Sequence, residues 1–246
     1  MIRVIFIFLL AAVMAVGQPA LSQTEVAAAT PLLPNLTPLP ARDLRITWEG
    51  GQRLLKFTTT SWNAGSGPLE LRPGAIDTGS GKQQLIQRVY NNDSTYADST
   101  IIAWMEWHEG HNHFHVSDYA VYTLQPVLAS GQSARTGAKT TFCIIDTDRV
   151  NLKLLDAPKR AAYTTCELDR QGMSVGWGDS YGYWLAGQSL AIDGLLDGDY
   201  VLKIELDPKH HLLEAGTTNN TSTVNFRITG DSVHVLDGSN RGKNNR

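Results

Sequence analysis

The chain reads Tyr200-Val-Leu-Lys-Ile-Glu-Leu206 directly after a turn at Asp197-Gly-Asp199. Apolar and polar side chains alternate through this stretch, which is typical of a β-strand with one buried face. Residues 223–228 show the same alternation, and we expect them to be the antiparallel partner. This part of the chain therefore predicts paired strands covering a hydrophobic core.

Similar short runs occur through most of the remaining sequence, separated by Gly, Pro, Asn, Asp and Ser. The runs cover residues 44–48, 54–62, 69–72, 85–90, 101–107, 114–124 and 139–146. Helical periodicity is weak, and only residues 157–163 suggest a single helical turn. Many short strands at regular spacing predict an all-β fold: a single β-sandwich-like domain with long loops and little helix.

The first residues resemble an export signal. Arg3 precedes a nearly all-apolar run over residues 4–16, and small residues follow up to Ser22. We therefore expect a signal peptide at 1–22, a flexible Ala/Pro/Thr-rich lead-in at 23–40, the folded domain at 41–230 and a polar tail at 231–246. No segment is long enough to predict a stable membrane span, so a secreted or periplasmic protein is expected.

The charge balance argues against a nucleic-acid partner. The net charge is −3 at pH 7, and removal of Arg3 with the signal peptide lowers it to −4. A general nucleic-acid binder needs a basic face. The mildly acidic mature chain therefore predicts no nucleic-acid partner.

The chain contains two cysteines, Cys143 and Cys166. An even count in an oxidising compartment favours a disulfide, although two buried free thiols are the alternative. Such a bond would stabilise the fold by about 3 kcal/mol.

Three histidines follow one another at every second position: His111, His113 and His115. Residues at this spacing share one face of a β-strand, so their rings point together. In a straight strand the outer Cα atoms lie roughly 13 Å apart, too far for three rings to meet at one ion. Gly110 permits a bend, so we expect distorted backbone here.

The grouping favours a metal site over a surface histidine stripe, because three in-phase imidazoles supply a suitable ligand set. Three imidazoles suit copper or zinc, and the spacing does not choose between them.

Four blocks of the sequence resemble the lysyl oxidase family in order and spacing over residues 104–230. They are Trp104-Met-Glu-Trp-His108 with His111-Asn-His113-Phe-His115; Lys139-Thr-Thr-Phe-Cys-Ile-Ile-Asp-Thr147; Gln171-Gly-Met-Ser-Val-Gly176 with Asp179-Ser-Tyr-Gly182; and Gly198-Asp-Tyr-Val-Leu-Lys203 with Thr218-Asn-Asn220. The chain is more similar to compact bacterial members than to the cysteine-rich animal enzymes.

The resemblance implies a copper(II) site at the three histidines. It also implies a lysine tyrosylquinone cofactor formed from Lys139 and Tyr181, the positions that match the family's cofactor lysine and tyrosine. Asp179, two residues before Tyr181, is our candidate general base, and His108 is the alternative.

The family chemistry is the oxidation of a primary amine or a protein lysine by molecular oxygen. The products are an aldehyde, ammonia and hydrogen peroxide. Such chemistry needs an electron sink, which a quinone supplies and ordinary side chains do not.

Some positions depart from the family pattern. Gly110 stands where animal members have a cysteine, and Ile145 replaces a glutamate. Ser189 and Ala191 occupy positions where an aromatic and an acidic residue are expected. The resemblance therefore leaves the pocket and the substrate open.

Two other readings are compatible with the histidine cluster. One is a non-catalytic, secreted copper-binding β-sandwich that forms no quinone. The other is a zinc hydrolase that uses the three histidines and Glu109 as base, although a His-Glu-x-x-His motif is missing.

Overall fold

The computed structural model describes residues 28–80, 82–108, 113–128, 132–137, 141–166 and 169–236, leaving aside the side chains of Ile102 and His108. The predicted signal peptide, His111 and Lys139 lie outside the described residues.

The described residues form sixteen strands. In chain order these are β1 (Pro31–Leu32), β2 (Leu36–Glu49), β3 (Gln52–Asn63), β4 (Leu69–Ile76), β5 (Gln83–Asn91), β6 (Tyr96–His108), β7 (His113–Val116), β8 (Ala120–Pro126), β9 (Arg135–Thr136), β10 (Asp148–Arg149), β11 (Gln171–Met173), β12 (Trp177–Tyr181), β13 (Ser189–Ala191), β14 (Gly198–Leu206), β15 (Thr221–Thr229) and β16 (Ser232–Val235).

These strands build three antiparallel sheets. The first has the order β11-β4-β5-β6-β7, with β1 paired to β5. In the second, β3 is central: β2 lies on one side, and β12 and β13 pair with successive parts of the other. The third has the order β16-β15-β14-β8-β9. No helix occurs among the described residues, so the all-β prediction is confirmed.

The core lies between the second and third sheets and continues beneath the first. Alternate residues of β14 and β15 are buried, and the two strands pair antiparallel as the sequence predicts, with Tyr200 opposite Phe226. Phe57 of β3 meets Tyr122 of β8 edge to face, with ring centroids 5.1 Å apart. Because β2 packs against β14, β15 and β16, the two sheets form the predicted sandwich.

The folded part extends beyond the predicted boundaries at both ends. Pro31–Leu32 and Leu36–Pro40 lie in strands, although residues 23–40 were expected to form a flexible lead-in. Leu36 is fully buried. Ser232–Val235 pairs with β15, although the sequence placed it in a polar tail. Prolines at 38 and 40 made a strand hard to predict here. Among the described residues β2 pairs only with β3, and an edge strand of this kind tolerates proline.

The predicted strand at residues 139–146 is wrong for its described part. Only Phe142 forms a bridge, to Val116. The amides of Ile144 and Asp146 donate instead to the Gln171 side chain and the Tyr163 carbonyl. The segment is therefore an irregular loop held by tertiary hydrogen bonds, and residues 157–163 form no helical turn.

Cys143 and Cys166 form a disulfide, which confirms the pairing predicted from their even number. This bond fits an oxidising compartment. Across the residues that are described, no helix has both the length and the apolar composition needed to cross a bilayer.

Candidate functional site

Two of the three predicted metal ligands converge at the edge of the first sheet. His113 and His115 lie on β7, which pairs with the end of β6. Their Nε2 atoms are 3.0 Å apart, and the His115 ring is buried. Both rings therefore project from one face of the strand, as the spacing predicts.

The 3.0 Å separation suits either an N–H···N hydrogen bond or two ligands of one ion. Imidazole nitrogens bind a metal at about 2.0–2.1 Å, which places two of them roughly 2.9 Å apart at a right angle and roughly 3.3 Å apart at a tetrahedral angle. The described pair falls within this range, so its geometry fits adjacent positions on one metal ion.

The second nitrogen of His115 faces a hydroxyl. Its Nδ1 lies 3.2 Å from Oγ1 of Thr141. Such a contact fixes the orientation and the tautomer of a ligand imidazole, leaving Nε2 for the metal. The sequence did not single out Thr141, although it belongs to the block that contains Lys139. Its role depends on a tertiary contact that spacing does not reveal.

The loop carrying Thr141 is fixed along β7 by two contacts. Phe142 exchanges backbone hydrogen bonds with Val116, at 2.6 and 3.0 Å. The buried Gln171 side chain donates to the Phe114 carbonyl and accepts from the Ile144 amide, at 2.7 and 3.1 Å. The histidine strand and the loop at residues 141–144 are therefore held together by groups from three of the sequence blocks.

Tyr181, at the end of β12, reaches the same loop. Its hydroxyl donates to the Cys143 carbonyl at 2.6 Å and accepts from the Cys143 amide at 2.9 Å. Its ring meets Phe142 edge to face, with centroids 4.8 Å apart. Burial, followed by the negative charge of Asp179, raises the pKa of Tyr181 well above its usual range. The phenol is thus oriented at both ends and kept protonated at neutral pH.

Asp179 lies two residues before Tyr181 on β12, on the same face, and is buried. It lines a cavity of about 10 Å³ together with Tyr181, Tyr119 and Tyr122. This space holds about one water molecule. Burial raises the pKa of Tyr122 to about 12, and the charge of Asp179 contributes. The carboxylate therefore faces a small, mostly apolar cavity that is too small for an amine substrate.

The structure joins His113, His115 and Tyr181 through one loop, residues 141–143, whose side chains and backbone touch both sides of the site. Asp179 is buried on the same strand and lines a cavity together with Tyr181. His111 and Lys139 are outside the described residues, which include Thr141, two positions after Lys139.

Comparison with known proteins identifies the class of this fold and site. The family model described as Lysyl oxidase matches residues 82–238, more than half of the chain. The chain therefore belongs to the lysyl oxidase family.

Individual relatives show the same likeness over shorter stretches. Lysyl oxidase homolog 1 of Homo sapiens is 34% identical over 135 residues, covering 54% of this chain and 22% of that protein. Lysyl oxidase homolog 3 of Homo sapiens is 30% identical over 134 residues, covering 54% of this chain and 17% of that protein. Lysyl oxidase homolog 2 of Gallus gallus is 27% identical over 143 residues, or 58% of this chain. The match thus spans about a fifth of these longer relatives.

Proposed function

We propose that the chain is a copper-dependent amine oxidase of the lysyl oxidase, or protein-lysine 6-oxidase, type. The observation that carries the proposal is the single loop, residues 141–143, that contacts both His115 and the hydroxyl of Tyr181. A metal ligand and the tyrosine matching the family's cofactor residue are therefore held by one short piece of chain. The family membership of residues 82–238 supports the same reading.

His113 and His115, with His111 as the third ligand, would hold copper(II). Their 3.0 Å separation suits adjacent ligands of one ion, and the Irving–Williams order favours copper over zinc at a site of nitrogen donors. When bound, copper supplies the redox chemistry that builds a lysine tyrosylquinone, and this cofactor supplies the electron sink for amine oxidation.

Tyr181 and Lys139 are the proposed precursors of that cofactor. The Cys143 backbone binds the Tyr181 hydroxyl, and Phe142 packs against the Tyr181 ring. The phenol ring is therefore held in one orientation. Lys139 lies two positions before Thr141, the residue that contacts His115.

Asp179 is the proposed proton acceptor of the site. Its carboxylate lines a cavity with room for about one water, so we assign it a role through a bound water and not by direct contact with substrate. Its negative charge also favours the protonated form of the Tyr181 phenol.

The proposed reaction converts a primary amine, or a lysine side chain of a protein, to an aldehyde. Water and molecular oxygen are consumed, and ammonia and hydrogen peroxide are released. A secreted or periplasmic location, with signal-peptide cleavage before residue 23, completes the proposal and agrees with the disulfide.

The test is peroxide release from primary amines by the copper-loaded protein, compared with Lys139→Arg and Tyr181→Phe. We expect both variants to bind copper but to lose the visible absorption of the quinone and at least 100-fold in activity. Full activity with an unchanged spectrum in Lys139→Arg would refute the cofactor assignment. Copper binding without oxidase activity in the wild type would indicate the non-catalytic copper-binding protein.

A further inference from the structure

We propose that the reduced form of the chain contains a second metal site, formed by Cys143, Cys166 and His113, which disulfide formation abolishes. The two sulfur atoms and a ring nitrogen of His113 all lie within 4.8 Å of one another. The ligand expected is a thiophilic ion such as zinc(II) or copper(I). The inference does not require the oxidised protein to be an amine oxidase.

The three donor atoms are close enough for one ion to bind them once the disulfide is reduced. With zinc–sulfur bonds of about 2.3 Å and zinc–nitrogen bonds of about 2.0–2.1 Å, donors on a tetrahedral ion are roughly 3.5–3.8 Å apart. The ring nitrogen already lies within 4.8 Å of both sulfurs. The sulfurs are bonded to each other in the disulfide, and after reduction each needs to move by about an ångström to reach this spacing.

Other contacts hold two of the donors in place without the disulfide. The backbone amide and carbonyl of Cys143 both bond to the Tyr181 hydroxyl, and the Phe142–Val116 bridge ties this loop to the strand carrying His113. Cys143 and His113 therefore stay close when the sulfur–sulfur bond is broken.

Cys166 is tethered and accessible. It is partly exposed, so a reductant can reach it. The buried Asp146 carboxylate binds the amides of Ala162 and Tyr163, which holds the chain shortly before Cys166. Reduction thus frees a thiol whose backbone remains near the other two donors.

The redox state of the cysteines determines which ligand set His113 joins. Two thiolates and an imidazole select soft ions, whereas imidazoles without thiolate suit copper(II). Formation of the disulfide transfers two electrons and two protons from the thiols to an exchangeable disulfide of the compartment, which becomes two thiols. A chain that still has free thiols would therefore bind zinc or copper(I) through both thiolates and His113. Formation of the disulfide would remove this ion, and His113 could then bind copper(II) together with His115.

Cobalt(II) is the probe for this site, because copper(II) would oxidise the thiols. A trialkylphosphine reduces the disulfide anaerobically: the phosphorus takes the oxygen of one water molecule, and the two sulfurs take its hydrogens. We expect the reduced wild type to bind one cobalt ion with a thiolate-to-cobalt charge-transfer band that zinc removes, and the oxidised protein to show no such band.

Matched variants separate this site from non-specific binding. Cys143→Ser and Cys166→Ser should each lose about half of the band intensity, and His113→Gln should weaken cobalt binding at least tenfold. His234→Gln, a change at an exposed histidine of β16, should bind as the wild type does. Circular dichroism in the near ultraviolet checks that the reduced chain keeps its tertiary structure.

Three results would overturn the proposal: no charge-transfer band in the reduced wild type, equal affinity in His113→Gln and wild type, or binding only by a chain that has lost its native dichroism. None of them bears on peroxide release, which is measured on the oxidised, copper-loaded protein. Failure of this inference and failure of the amine oxidase proposal are thus distinguishable.

Discussion

Thr141 is the residue whose role is most readily tested by a single substitution. Its hydroxyl is 3.2 Å from His115 Nδ1, and removal of such a partner of a metal ligand typically weakens metal binding by about 10- to 100-fold. We expect Thr141→Val to lower copper affinity by about tenfold at least, measured by competition with a chelator. Thr141→Ser should restore it.

The control for Thr141 is Thr136→Val, because Thr136 is exposed on β9 and pairs with β8 in the third sheet, whereas the histidines lie in the first sheet. Wild-type copper affinity in Thr141→Val would contradict the orienting role of this hydroxyl.

At the level of the structural elements, Asp146 holds the loop that precedes β11. Its carboxylate accepts from the amides of Ala162, Tyr163 and Ser174 and from the Ser174 hydroxyl, at 2.7–3.2 Å. Buried donors that lose their acceptor each cost about 1–3 kcal/mol. Asp146→Ala should therefore lower the free energy of unfolding in urea by about 3 kcal/mol or more.

Asp169→Ala is the matched control for Asp146, because Asp169 is exposed in the same part of the chain. Equal destabilisation by the two substitutions would show that the hydrogen bonds of Asp146 contribute little. The aspartate of the family-like block at 139–147 thus has a structural explanation that does not involve chemistry on a substrate.

For the whole molecule, Glu214 makes stability depend on pH. It accepts hydrogen bonds from the Leu36 amide and the Asn220 side chain, joining the start of β2 to the loop before β15. Burial raises the pKa of Glu214 to about 7. The folded state therefore binds the proton of the Glu214 carboxyl more tightly than the unfolded state does. The stability that this proton contributes is fully present below the unfolded pKa and is lost as pH rises through about 7.

The measurement for Glu214 is the melting temperature at pH 5 and pH 8 for the wild type and Glu214→Gln. We expect the wild type to lose several degrees more than the variant between these pH values, since a glutamine does not ionise. An equal change in both proteins would contradict the assignment.

The alternation of apolar and polar residues correctly predicted the strands that have one buried face. The alternation in residues 200–206 and 223–228 predicted β14 and its pairing with β15, and the spacing of His113 and His115 predicted that their rings share a face. These features depend on the two-residue period of a strand, which the sequence displays directly.

Features that depend on contacts between distant segments were not predictable in this way. Residues 141–146 have strand-like composition, but their backbone groups bond to Tyr181, Gln171 and Tyr163. Likewise, nothing in the spacing indicates that Thr141 faces His115. The position of a loop between two parts of a site is set by tertiary hydrogen bonds, which short-range periodicity does not encode.

In the proposed site, His115 and Tyr181 are joined by residues 141–143, and Tyr181 forms a quinone with Lys139. The most direct measurement is the peptide masses of the mature chain after aerobic incubation with copper and digestion. We expect the peptides containing Lys139 and Tyr181 to appear joined, with one oxygen gained and four hydrogens lost. Separate and unmodified peptides in a protein that has bound copper would contradict the claim.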